Sequence, residues 1–330
     1  MKILVTGGTG YIGSHTIVDL LGKGYDVVSI DNYSNSSPEV IDHIEEVTGK
    51  RIKNYEIDIC DLEETKKVFA ANPDIKGIIH FAAYKYVGES VSLPMLYFRN
   101  NLNSLLNILD CMRQWNVPHL VFSSSCSVYG NPEKQPVTEA TPFQEAESPY
   151  ARSKQMGEHI IRDYSRAHQD LNFIILRYFN PAGVHSSGII RENASKEVET
   201  LVPIIEEVHL GKREKLVIFG GDYPTRDGTC IRDYIHIEDL ASAHTLSFEF
   251  LEKNEERGKC NIYNVGTGNG ITVQEMVKAM EKVSGKALNY SIGPRREGDI
   301  IQVYADYTEA NKDLKWEPKY NIEDIFRSIL

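Results

Sequence analysis

Cysteine is scarce and unpatterned in this chain. Cys60, Cys111, Cys126, Cys230 and Cys260 are scattered through 330 residues, an odd number with no Cys-x-x-Cys pair. That usage argues against a disulfide framework and a zinc site, and suits a reducing cytoplasm. Long apolar runs are lacking too. No stretch of 18 or more apolar residues offers a membrane span, and glycines break the first apolar run at position 7, which is unlike a signal peptide. Positive charge is in deficit: 36 Lys and Arg stand against 47 Asp and Glu, a formal net charge of -11 with a pI near 5.5. This balance argues against a nucleic-acid partner or an anionic membrane, but leaves room for a local basic pocket that binds a phosphorylated small molecule. His15, His80 and His119 each stand alone at an element boundary, so no metal is expected.

Hydrophobic residues at 41% and charged residues at 25% are ordinary for a globular protein. A chain this long exceeds the size at which single cores stop growing, so one large domain with a smaller lobe is expected. Residues 2–6 are a short apolar run broken by Gly7-Gly8-Thr9-Gly10-Tyr11-Ile12-Gly13, which reads as a buried strand and a tight turn. Helical periodicity follows over 14–23, and strand 27–30 delivers Asp31 at its carboxyl end. The alternation continues with helix 38–48, strand 52–57, helix 62–71, strand 77–80, a long helix over 95–115, strand 119–123, the Tyr150 helix and strand 173–178. Strands alternating with helices predict an α/β fold of the Rossmann type, with a doubly wound parallel sheet. Residues 1–180 are expected to form a dinucleotide-binding domain, to which segments near 231–252 return. Residues 181–330 should mainly form a smaller C-terminal α/β lobe for substrate, and 181–200 reads as a lid or substrate loop.

Gly7, Gly10 and Gly13 have a G-x-x-G-x-x-G spacing on a strand-to-helix turn. Missing side chains let backbone approach a pyrophosphate, while the helix N-terminus supplies oriented N–H groups. Asp31, about 20 residues on, is placed to hold a ribose diol. The following Asn32-Tyr33-Ser34-Asn35-Ser36-Ser37 has no Arg or Lys to receive a 2′-phosphate, so NAD is favoured over NADP. Asp58 and Ile59, read as ending the third strand, could face adenine. The small residues of Phe81-Ala82-Ala83-Tyr84-Lys85 would admit the pyrophosphate. Lys85 is either a ligand contact or a solvated loop charge.

Ser148-Pro149-Tyr150-Ala151-Arg152-Ser153-Lys154 places a phenol and an ammonium four residues apart, on one face if the run is helical. A neighbouring cation would lower a phenol pKa from about 10 and make it a usable acid/base. The same spacing occurs on ordinary surface helices, and the serines of Ser123-Ser124-Ser125-Cys126-Ser127-Val128-Tyr129-Gly130 could equally form a polar turn. A strand-end serine followed by Tyr-x-x-x-Lys, behind a glycine-rich NAD turn, is far more specific than any one part.

In these residues the chain resembles the extended short-chain dehydrogenase/reductase superfamily, and within it the UDP-glucose 4-epimerase family. The narrower resemblance rests on Thr6 to His15, Val87-Gly88-Glu89-Ser90-Val91, Ser123 to Gly130, Ser148-Pro149-Tyr150, Arg177 to Gly183, Arg232-Asp233-Tyr234-Ile235-His236 and Pro294 to Asp299. It implies that Tyr11, Ile12, Asp31, Asn32, Tyr33, Ser34, Asn35, Ser36, Asp58, Ile59, Phe81, Ala82, Ala83, Lys85, Asn100, Tyr150, Lys154 and Phe179 line NAD. It implies substrate contacts from Lys85, Ser125, Tyr150, Asn180, Thr200, Leu201, Val217, Phe219, Arg232, Arg296, Asp299 and Val303. In that scheme Tyr150 takes the 4′-hydroxyl proton of a UDP-hexose, Ser125 bonds the same oxygen, and Lys154 lowers the Tyr150 pKa and binds the nicotinamide ribose. The resemblance also implies a homodimer through the helices over 95–115 and 150–168. It makes the chain somewhat short at Leu330.

Related 4,6-dehydratases carry an Asp-Glu pair where this chain has Cys126-Ser127 or the neighbouring serine, so dehydration is disfavoured. Thr200 replaces an Asn common in epimerases, which puts one phosphate contact in doubt. Val303 stands where a bulky Tyr marks epimerases restricted to unsubstituted sugars. It either leaves room for a 2-acetamido group or is an incidental wall residue. An enzyme acting mainly on UDP-N-acetylglucosamine, and a non-enzymatic NAD-sensing regulator, are the alternative readings.

Overall fold

A computed structural model describes residues 1–192, 200–254, 257–296 and 299–330. Part of the expected lid loop over 181–200, and Glu297 and Gly298 of the Pro294 to Asp299 motif, lie outside the described residues. The first half runs β1 (Lys2–Thr6), α1 (Tyr11–Gly22), β2 (Asp26–Ile30), α2 (Glu39–Thr48), β3 (Lys53–Tyr55), α3 (Leu62–Ala71), β4 (Ile75–His80), α4 (Val87–Ser92), α5 (Pro94–Gln114), β5 (His119–Ser125), α6 (Pro149–Ala167) and β6 (Asn172–Tyr178). The second half runs β7 (Asn180–Ala182), α7 (Leu201–His209), β8 (Leu216–Phe219), β9 (Ile231–Arg232), β10 (Tyr234–His236), α8 (Ile237–Lys253), β11 (Cys260–Val265), β12 (Ile271–Thr272), α9 (Val273–Ser284), β13 (Tyr290–Gly293), α10 (Thr308–Leu314) and α11 (Ile322–Ile329).

Seven strands form one sheet in the order β11-β6-β5-β4-β1-β2-β3, with every neighbouring pair parallel. Successive side chains point to opposite faces and helices cover both, which is why the central strands are largely apolar. Ile3, Val5, Ile79, Val121, Ile174 and Leu176 point to one face, where α1, α2, α8 and α10 cover them through residues such as Ile17, Ile44, Phe248 and Leu314. Leu4, Ile78, Leu120, Phe122, Phe173 and Ile175 point to the other, under Phe69 of α3, Leu105 and Met112 of α5, and Ile161 of α6. The strand order reverses between β1 and β4. Open α/β sheets bind ligands outside the carboxyl ends of the strands at such a switch point.

β3 ends at Tyr55, two residues short of the expected strand. Among the described residues its partner is β2, whose pairing ends at Ile30 opposite Tyr55. Asp58 and Ile59 therefore lie in the loop beyond the strand. β11 joins the sheet beside β6, so residues 260–265 belong to the main sheet as well as α8. The other later segments form short two-stranded sheets, β10 with β7, β12 with β9 and β13 with β8. A separate core of Val202, Ile205, Ile218, Met276, Met280 and Phe326 lies under α7, α9 and α11.

Candidate active site

The turn after β1 is built for close backbone approach. Gly7 has φ +69°, and a Cβ there would stand 2.9 Å from the Ala82 nitrogen at the end of β4. A Cβ on Gly13 would stand 2.1 Å from the Gly7 carbonyl oxygen, so the helix can pack on the turn only without one. α1 then starts at Gly10 with no capping side chain and no acidic residue in its first turn. Its first N–H groups have no partner within the helix and suit an anionic group.

A cleft opens at the switch point. Gly7, Gly10, Tyr11, Ile12, Gly13, Asp31, Asn32, Ser34, Asn35, Ser36, Asp58, Ile59, Phe81, Ala82, Ala83, Lys85, Asn100, Tyr150 and Lys154 all line it. Asp31 is held in place from both sides: Thr9 N–H donates to it at 3.1 Å, Tyr33 N–H at 2.9 Å and the Ser36 hydroxyl at 3.2 Å. An uncapped helix end at one wall and a fixed carboxylate at the other fit the pyrophosphate and ribose of NAD.

Two expected cofactor residues are not in the lining. Tyr33 lies just outside, at φ +56°. Phe179 is buried with Val128, Tyr129, Val137, Val303 and Ala305, while Tyr178 beside it faces the cleft. Successive side chains of a strand point opposite ways, and here the second aromatic takes the inner side. Ile30, Ile57, Tyr84 and Tyr86 also line the cleft without having been singled out. Tyr84 lies within the Phe81 to Lys85 stretch, which was its only signal. Lys85 is not a bare loop charge, because its ammonium pairs with Glu192 at 2.6 Å.

The chemistry-bearing residues come from β5 and α6. β5 is buried along its length and ends at Ser125, whose hydroxyl accepts the Ser127 N–H at 3.2 Å and caps a short 3₁₀ turn over Cys126–Tyr129. α6 begins where its sequence says it should. Ser148 caps it by accepting Ala151 N–H at 3.2 Å, and Pro149 occupies the first helical position. This start fixes Tyr150 in the first turn, 7% exposed, with Lys154 buried one turn on. Asn101 of α5 was missed by sequence reading. It bonds the Ser153 hydroxyl at 3.0 Å and both backbone groups of Tyr84, joining α6 to the cleft wall.

Burial raises the Tyr150 pKa well above its ordinary value, aided by Tyr178, while the bond with Ser125 works the other way. The Lys154 ammonium is 5.9 Å from the Tyr150 ring centre and donates to the Ser123 carbonyl at 2.7 Å. Burial in turn lowers the Lys154 pKa to about 8. The Cys126 thiol is pushed up to about 12 by burial and is therefore neutral at physiological pH.

On the lobe side, Arg232 of β9 donates to Asp299 at 2.8 Å, and Arg296 approaches the same carboxylate at 3.6 Å. The Arg296 guanidinium lies 4.8 Å from the Phe219 ring centre, which joins the end of β8 to this group. Arg232 also acts electrostatically on Cys126, so the cluster is close to the Ser125 turn. Among the described residues the buried Asn180 Oδ1 has no hydrogen-bond partner, which makes it an acceptor suited to a ligand donor. Val217 is half-buried on β8, and Leu201 packs into the lobe core. Thr200 stands apart from the Arg232 group, in an adjoining cleft with Tyr11, Gly183, Glu192 and Glu206. Val303 is 2% exposed and packs beside Phe179 and Cys126. No group of three or more His, Cys, Asp or Glu among the described residues could hold a metal ion.

Comparison with known proteins agrees with this geometry over the whole chain. A family model described as GDP-mannose 4,6 dehydratase matches residues 4–329. UDP-glucose 4-epimerase of Bacillus subtilis (strain 168) is 47% identical over 325 residues, 98% of this chain and 94% of that protein. The enzyme of Mus musculus is 44% identical over 336 residues, covering 99% and 96%. UDP-glucose 4-epimerase from Bifidobacterium longum, crystallised with NAD⁺ and UDP, superposes with a TM-score of 0.95 at 44% identity, covering 100% of this chain and 97% of that one. The UDP-Glc/GlcNAc 4-epimerase of Campylobacter jejuni gives 0.85 at 37%, covering 99% and 97%. Neither Cys126 nor Ser127 can supply the carboxylates expected of a dehydratase, so membership narrows to one branch: the chain belongs to the UDP-glucose 4-epimerase family.

Proposed function

We propose that this protein interconverts UDP-glucose and UDP-galactose by removing and restoring hydrogen at C4′. When bound, NAD supplies the acceptor and donor of the hydride and a positively charged ring. Tyr150 takes the 4′-hydroxyl proton and later returns it to the same oxygen, while Ser125 steadies that oxygen by hydrogen bonding. The 4-keto sugar formed in between turns over, so hydrogen returns to its other face. Lys154 supplies positive charge beside Tyr150 and a donor for the nicotinamide ribose. Arg232 and Arg296 suit the diphosphate through paired, charge-assisted hydrogen bonds, with Asp299 orienting both guanidinium groups. Asn180, Leu201, Val217 and Phe219 are assigned to the rest of the substrate, and Thr200 to its margin. The observation that carries the reading is Tyr150, hydrogen-bonded to Ser125 and lining with Lys154 the cleft that also holds the glycine turn and Asp31.

Val303 supports a wider substrate range, because a Val beside the Ser125 turn occupies far less space than a Tyr would. On this reading the protein also accepts the 2-acetamido pair, UDP-N-acetylglucosamine and UDP-N-acetylgalactosamine. The division into residues 1–180 and 181–330, the homodimer, and a cytoplasmic location supported by five free cysteines complete the proposal. To test it, purified protein is mixed with UDP-galactose without added cofactor and assayed for UDP-glucose, then with the acetamido pair. Conversion of the hexose is expected. No conversion of either, even with NAD supplied, overturns the enzyme reading.

A further inference from the structure

Arg177 opens one of the stretches that carry the family resemblance, yet the reaction as described leaves it without a task. It sits in β6, 1% exposed, where an unpaired guanidinium would be costly. Its partner is Glu158 of α6, 0% exposed: Nη2 donates at 2.7 Å and Nε at 3.0 Å. The remaining Arg177 nitrogen reaches the Tyr129 hydroxyl at 3.0 Å, which donates to Asn264 at 2.6 Å. Glu158 also accepts from the Ser124 hydroxyl at 2.6 Å, next to Ser125 in the chain, and from Arg162 at 3.2 Å.

Tyr150, Lys154 and Glu158 follow one another at i, i+4 and i+8, all buried on one face of α6. At about 1.5 Å rise per residue, Glu158 lies roughly 6 Å along the axis from Lys154 and roughly 12 Å from Tyr150. Glu158 is therefore one turn from Lys154 and two turns from Tyr150. Around Lys154, β5 contributes the Ser123 carbonyl and the Phe122 ring at 5.0 Å. β4 contributes His80, kept neutral by burial and by the nearby ammonium. Tyr178 at the end of β6 shares the cleft, and Tyr150 is the remaining neighbour on α6. Among the described residues, Glu158 is the anion acting on this amine, and it opposes the lowering caused by burial.

We propose that Glu158, fixed by Arg177 and Ser124, is a positioning residue whose carboxylate keeps Lys154 cationic beside Tyr150. The inference rests on the functional reading above, which gives Lys154 its role. The test is the pH profile of kcat/KM for UDP-galactose, with NADH binding measured by fluorescence at the same pH values. Glu158→Gln should move the alkaline limb of both profiles toward neutral pH by about one unit or more, because a less supported ammonium loses its proton earlier. Glu158→Asp, which keeps the charge, should restore most of the shift. Glu158→Gln also leaves Arg177 unpaired. The double variant Glu158→Gln/Arg177→Met removes that charge, preserves a foldable core if the single variant fails, and should keep the shifted limb. A wild-type limb in the single variant, or a return to it in the double, overturns the proposal. If the parent protein does not epimerise UDP-galactose at all, the functional reading falls instead, and the NADH profiles still decide the role of Glu158.

Discussion

Tyr150 and Ser125 lie 25 positions apart in the chain but act on one oxygen in the proposed reaction, so their contributions can be separated by removing single atoms. Tyr150→Phe deletes the phenol oxygen and keeps the ring that packs in the cleft wall. Turnover of UDP-galactose should fall by about 10²–10⁴-fold, the usual worth of general acid–base catalysis. UDP affinity by calorimetry should stay close to that of the parent, since Arg232 and Arg296 are untouched. A variant that keeps more than half its turnover would remove Tyr150 from the proton path. Val303→Tyr is the matching test of substrate range: conversion of UDP-N-acetylglucosamine should be abolished while UDP-galactose is spared. Equal loss of both, or no loss, rejects the assignment, and a melting curve checks that the larger ring has not simply overpacked the buried cluster around Phe179. At this scale the sequence was most legible where spacing and capping agree, as in Ser148, Tyr150 and Lys154. It was least legible where adjacent residues share a chemistry. Tyr178 and Phe179 are both aromatic at a strand end, and only the packed structure decides which one lines the cleft. The direction of the Lys154 amine, toward the Ser123 carbonyl, also depended on a partner from another element.

Whole elements were legible in proportion to their length and periodicity. The apolar strands β1, β2, β5 and β6 and the capped helix α6 stand close to where the sequence places them, because burial on both faces and the Ser-Pro start leave few alternatives. β9, β10 and β12, of two or three residues each, carry no period to read and exist only through pairing with distant segments. β3 stops early because β2 stops opposite it. The element most exposed to test is the turn into α1. Gly13→Ala places a methyl group where the Gly7 carbonyl oxygen already stands, so the helix must shift away from the turn. NAD content of the purified protein, measured after acid release, should drop at least tenfold and be only partly restored by added NAD. Retention of full NAD content would show that the close approach of turn and helix is not needed for the cofactor.

At the scale of the whole molecule, the outer surface of α4, α5 and α6 is unusually apolar for a protein with so much negative charge. Val91, Leu93, Met95, Leu96, Leu106 and Met156 are all exposed, whereas the opposite sides of α5 and α6 fill the core beneath the sheet with residues such as Leu105, Met112 and Ile161. α5 and α6 lie side by side, so their outward faces form one surface. Exposed apolar side chains gathered on neighbouring helices are what an interaction surface offers. In the proposed homodimer, pairing with the same surface of a second copy would cover it by a two-fold contact of four helices, the commonest closed arrangement. Tyr150 and Lys154 sit on the buried side of α6 and line the cleft, so the pairing does not obstruct it. Leu106→Lys combined with Met156→Glu places charges on both exposed faces without touching the core. Sedimentation velocity should show a dimer for the parent protein and a monomer for the double variant, with the cleft still able to bind NAD. A parent that sediments as a monomer, or a double variant that remains dimeric, excludes this face as the dimer contact and moves the search to the lobe under α7, α9 and α11.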